Sequence, residues 1–86
     1  MTLDCPELFY LDCSYNCLSV LDLSNSPNLT DLNCDNNNLS ELDLSKCPNC
    51  NTLLCHENKL KKLVLNKDSK LKQEECLYNQ QIYYGL

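Results

Sequence analysis

The chain has 86 residues, a net charge of −5, 43% hydrophobic residues, one Gly, three Pro and eight Cys. A chain this short makes one small domain and hides only about 60% of its unfolded surface, so a conventional globular core is marginal. Few Gly and Pro exclude a low-complexity chain, and the acidic balance makes nucleic acid and anionic membrane poor partners.

The opening stretch, MTLDCPELFY, has no basic start and no apolar run of signal-peptide length. No segment approaches the ~20 apolar residues of a membrane span, so no membrane insertion is expected. Residues 1–10 read as part of a coil, because Pro6 and Leu8 match Pro27 and Leu29 further on. Three gap-free units of 21 residues follow, at 11–31, 32–52 and 53–73. Leu11, Leu32 and Leu53 fall in one column, as do Cys13, Cys34 and Cys55. Asn16, Asn37 and Asn58 form another column, and Leu18, Leu39 and Leu60 the next. Later columns are Leu21, Leu42, Leu63, then Leu23, Leu44, Leu65, then Leu29, Cys50, Leu71. Residues 74–86 read as a degenerate fourth coil or a cap: Cys76 and Asn79 continue their columns, but Glu74 replaces a Leu and Ile82 falls one place late. A short helix over Leu71–Tyr78 is the alternative there. Charge is uneven as well. Residues 1–45 hold eight acids and no Lys or Arg, whereas residues 46–86 hold seven Lys and four acids.

The alternation in Leu-Asp-Cys and Leu-Asp-Leu calls for short strands with two side chains inward and one outward. No unit hides its own apolar face, so each depends on its neighbours. The Asn column is expected to be structural, because a buried amide both donates to and accepts from the backbone groups freed at a turn. Pro27 and Pro48 suit a corner with no ladder partner.

The pattern resembles the leucine-rich-repeat family, whose signature is L-x-x-L-x-L-x-x-N/C-x-L. Leu8 to Leu18 and Leu29 to Leu39 fit it, and Cys50 to Leu60 fits with Cys at two Leu positions. More narrowly it is similar to the short bacterial class with nested half-repeats; the likeness covers roughly residues 3–79. It implies a leucine-rich-repeat solenoid: a β-rich right-handed coil of about four turns, with short parallel strands and little or no helix. It also implies protein binding and, very rarely, catalysis. The compartment stays open, since a thiol-rich core suits the cytoplasm and the resemblance equally suits a bacterial surface or secretion.

Several residues invite sharper chemistry. Cys13, Cys34, Cys55 and Cys76 are expected to form a ladder of free buried thiols, because parallel neighbours do not offer the converging geometry of a disulfide. Cys34 and Cys55 should then react slowly. Cys47-Pro-Asn-Cys50 has metal or redox spacing. However, Cys50 shares a core column, Cys47 aligns with Ser26 and Asp68, which should point outward, and no second such pair exists. Cys17 and Cys47 are expected to be exposed and reactive. Ser14, Asp35 and His56 share an outward column, but the wrong residue is central for a triad. No Gly-bearing acidic loop suits calcium. Asn28-Leu-Thr and Asn38-Leu-Ser match glycosylation acceptors by accident of an Asn-rich repeat. No metal, cofactor or catalytic residue is assigned.

The expected binding face is built from Phe9, Tyr10, Asp12, Tyr15, Asp31, Asn33, Asp35, His56 and Glu57. Aromatic anchors beside acids suit a protein partner with a basic rim. The competing reading is that these aromatics shield an open first coil, with Tyr78, Tyr83 and Tyr84 doing the same at the far end. The function expected is a protein–protein interaction module; the alternative is a structural fragment of a longer repeat array in a larger surface or secreted protein, and the poorly covered ends of the chain are expected to favour end-to-end self-association.

Overall fold

The computed structural model describes residues 1–71 in full and the backbone of 73–76 and 81–85. Seven strands follow one another: β1 (Tyr10–Asp12), β2 (Asp31–Asn33), β3 (Glu41–Leu44), β4 (Thr52–Cys55), β5 (Lys62–Asn66), β6 (Gln73–Cys76) and β7 (Gln81–Gly85). No helix occurs among the described residues, and Gln73–Cys76 being a strand overturns the helical alternative for that stretch. Tyr78 lies outside the described residues, as do the side chains of Tyr83 and Tyr84.

The strands form two parallel sheets, ordered β1-β2-β4-β6 and β3-β5-β7. From β2 onward successive strands alternate between them. Parallel neighbours ordinarily need a crossover of a dozen or more residues, often a helix; here each crossover runs through the other sheet. The register reproduces the sequence period: Leu11 pairs with Leu32, Leu32 with Leu53, and Leu42 with Leu63. At the end the step shortens. Leu63 pairs with Ile82 and Lys62 with Gln81, so Ile82 joins the Leu42–Leu63 row rather than the Leu60 column its position suggested.

Because side chains alternate along a strand, the Leu and Cys columns converge on one core. Leu23, Leu29, Leu32, Leu39, Leu42, Leu44, Leu53, Leu63, Cys34 and Cys55 are fully buried. At the N-terminal end Leu3, Leu8, Leu11 and Leu18 are only partly covered against it.

Two expectations about cysteine fail. Cys55 is disulfide-bonded, not a free thiol; the register sets Cys76 at the adjacent position of the neighbouring strand. Cys47 and Ser26 are buried rather than outward. The cause is a pair of overlapping turns that column matching does not reveal. Ser26 N–H donates to Leu23 (3.1 Å) and Leu29 N–H to Ser26 (3.3 Å); Cys47 N–H donates to Leu44 (3.0 Å) and Cys50 N–H to Cys47 (3.2 Å). Pro27 and Pro48 occupy the second turn position, where their fixed φ is favoured. In the next unit the turn slips by one residue, Ser69 N–H reaching Asn66 (2.9 Å), and Asp68 stays exposed. The Cys47 thiol bonds the carbonyls of Leu23 (3.6 Å) and Ser26 (3.4 Å). Ser26 Oγ is buried with no partner, a liability of about 1–3 kcal/mol.

The second sheet lapses on the N-terminal side of β3. Met1–Leu3 bond to Asp22, yet no backbone hydrogen bond among the described residues joins 20–23 to β3. Continuing the period would set Asp22 opposite Asp43 and Val20 opposite Glu41. Like charges directly opposite weaken a pair, whereas one unit later Glu41 faces Lys62. The lapse leaves an open groove of ≈ 220 Å³ lined by Ser19, Val20, Leu21, Ser40, Glu41 and Asp43.

Candidate interaction surface

The outward side chains of the first sheet fall into two rows crossing the strands. Tyr10, Asp31 and Thr52 make one; Asp12, Asn33 and Leu54 make the other. Between them lies a shallow trough of ≈ 140 Å³ lined by Tyr10, Asp31, Leu32, Asn33, Thr52 and Leu54. A drug-sized or cofactor site needs roughly 300–1,000 Å³. Both this trough and the groove beside β3 fall short of that, so each is of side-chain size.

Beyond the strand ends a turn repeats. Tyr15, Asn36 and Glu57 have φ of 57°, 59° and 55°, the left-handed region, which costs a non-glycine residue roughly 1–2 kcal/mol. Asn tolerates it best; Tyr15 and Glu57 are held there by their surroundings. The backbone ladder continues through this row, Tyr15 N–H donating to Asp35 (3.0 Å) and Asn36 N–H to His56 (2.8 Å). Inside the turn sits the Asn column. Asn37 Nδ2 donates to the carbonyls of Cys13 (3.1 Å), Cys34 (3.1 Å) and Asp35 (3.3 Å), and its Oδ1 accepts the Leu18 N–H (3.0 Å). Asn58 repeats the set with Cys34, Cys55, His56 and Leu39. The Asn reading thus holds for Asn37 and Asn58, whereas Asn16 is exposed and only donates, to the carbonyls of Cys13 and Ser14.

The structure sorts eight of the nine expected surface residues into two groups and leaves Phe9 apart. Tyr10, Asp31 and Asn33 line the trough, with Asp12 beside Asn33 in register. Tyr15, Asp35, His56 and Glu57 sit on the turn row past the strand ends. Phe9 precedes β1 and is exposed; its carbonyl accepts from Thr30 and Asp31. Thr52 and Leu54 complete the two rows, where the 21-residue spacing from Asp31 and Asn33 sets them. Ser14 Oγ donates to Asp12 (2.6 Å) rather than to Asp35 or His56. Asp35 Oδ1 accepts the His56 backbone N–H (2.7 Å).

The acids differ in what they are doing. Hydrogen bonds from the Ser14 hydroxyl and N–H hold Asp12 below the usual carboxylate range, and those from the Ser24 N–H and hydroxyl do so for Asp22. Asp43 accepts the Ser45 N–H (2.8 Å). Asp31 is half-buried and takes part in no side-chain hydrogen bond or ion pair among the described residues.

Burial pushes the Cys34 thiol up to about 12 and those of Cys47 and Cys50 up to about 11. Thiolate is the reactive form. At neutral pH a thiol reagent should therefore label exposed Cys5 and Cys17 promptly and leave Cys34, Cys47 and Cys50 untouched. Linkage gives the sign of the pH effect. These thiols titrate higher when folded than when unfolded, so their contribution is fully present below about pH 9 and is lost as pH rises toward 11–12. Urea melts across that window should show stability falling, and a flat profile would contradict the burial of Cys34.

Among the described residues no three His, Cys, Asp or Glu side chains converge as a metal site would require, and no helix is long and apolar enough to cross a membrane. Compared with known proteins, the chain matches no family model, no curated protein and no solved structure.

Proposed function

We propose that the chain is a short leucine-rich-repeat solenoid acting as a protein-recognition module, not an enzyme, with the outward face of β1, β2 and β4 as its contact surface. One observation carries this reading. Phe9, Tyr10 and Tyr15 are 65%, 55% and 80% exposed, and the side chains that partly cover the core at that end are Leu3, Leu8, Leu11 and Leu18 instead. Aromatics acting as end shields would be packed on the core. Large, rigid, exposed rings are what interface cores are enriched in. The 21-residue register of β1, β2 and β4 and of β3 and β5 supports the solenoid reading.

The test begins with a photo-crosslinking residue at Thr52, and another at Lys61 on the lysine-bearing side as a control. The partner captured at Thr52 is purified and titrated against variants. Tyr10→Ala and Tyr15→Ala should each weaken binding by more than about 1 kcal/mol, and Lys61→Ala should not. If both tyrosine variants bind normally but melt earlier, the aromatics are structural and the surface lies elsewhere.

A second reading, a piece of a longer array, is favoured by the partly covered Leu11 behind β1, the edge strand of its sheet.

A further inference from the structure

We infer that the trough over β1, β2 and β4 takes a cationic side chain, preferably arginine, from a protein partner. This rests on that face being the recognition surface. Three features meet there. The walls are partly apolar, with Leu54 on one side and the exposed Tyr10 ring at the end; an arginine stem packs on such surface while its guanidinium lies over an aromatic ring. The volume of ≈ 140 Å³ suits one long side chain. The third feature is Asp31. The neighbouring carboxylates are committed: Asp12 to Ser14 and Asp35 to the His56 N–H. Asp31 is half-buried on the trough wall and uncommitted among the described residues. A partly desolvated carboxylate without a partner is unfavourable in the free protein. A guanidinium, with its fork of donors, supplies what it lacks. No Lys or Arg occurs in residues 1–45, so the half of the chain that provides Tyr10, Asp31 and Asn33 offers no Lys or Arg side chain of its own.

The experiment uses the full chain and short glycine–serine peptides with a single central residue: arginine, lysine, citrulline or glutamate. Binding is followed by amide chemical shifts and by fluorescence anisotropy at low and high salt. The arginine peptide should shift the amides of Leu32, Asn33, Thr52 and Leu54, bind more tightly than lysine, and weaken as salt screens the pair. Asp31→Asn should lower its affinity by about tenfold or more, in line with the loss of one charge-assisted partner. Tyr10→Ala should weaken it and Tyr10→Phe should not. Asp31 bonds no other side chain, so Asp31→Asn should melt like the parent. Thr52→Arg, which brings a guanidinium next to Asp31 from within the chain, should block the peptide and provides a second variant. If citrulline binds the trough as well as arginine, or Asp31→Asn changes nothing, the cation assignment is overturned while the face remains a recognition surface. If no peptide shifts these amides and the Thr52 crosslinker captures nothing, the functional reading fails with it.

Discussion

Asn37→Ala should lower the free energy of unfolding by about 3–5 kcal/mol, summing over the backbone groups it strands. The side chain answers the carbonyls of Cys13, Cys34 and Asp35 and the N–H of Leu18, and it is itself buried. Alanine satisfies none of them, and the turn is too enclosed for water to replace every bond. Such a loss is a large share of the total, since a chain of this length is stable by only about 4–13 kcal/mol at typical values per residue. The variant should therefore unfold at a clearly lower urea concentration, followed by circular dichroism. Asn16→Ala is the internal control. Asn16 bonds only Cys13 and Ser14 at the more exposed first turn, and its loss should cost about 1 kcal/mol. Equal effects would mean that the Asn column is not graded by burial.

Leu32→Ala should cost about 3–4 kcal/mol, through lost transfer energy and a cavity that its neighbours cannot close. Leu32 is 1% exposed, paired on both sides by Leu11 and Leu53. Leu11 occupies the same column one unit earlier but is only partly covered, so Leu11→Ala should cost about 1–2 kcal/mol. Urea titrations of both variants, run at several protein concentrations, check the gradient. If Leu11→Ala costs as much as Leu32→Ala, and the midpoint rises with concentration, the N-terminal face is covered in solution by a second copy. That result would favour the longer-array reading over a free-standing module.

Much of this is legible in the sequence. Leu11, Leu32 and Leu53 align because a repeated unit solves the same packing problem each time, and parallel pairing then follows the period. The Asn column was readable for the same reason: a turn frees the same N–H and C=O groups at each pass, and an amide is the side chain that answers both. Outward positions were readable only as rows. Even the engaged acids follow a spacing: Asp12, Asp22 and Asp43 each have a Ser two residues on whose N–H bonds back to the carboxylate, whereas Asp31 has Asn33 there.

What the linear pattern determines is the periodic part: the inward Leu columns, the Asn ladder and the partners 21 residues apart in the first sheet. Only the tertiary structure decided the breaks in that period. Ser26 and Cys47 face inward because two overlapping turns rotate that corner, and the same position is exposed at Asp68 where the turn slips by one residue. Ile82 lies beside Leu63 because the last crossover is two residues shorter. The second sheet lapses before β3, where acids would face each other. Each is set by a balance among neighbouring units, of turn geometry, charge or chain length, so no single unit's sequence contains it.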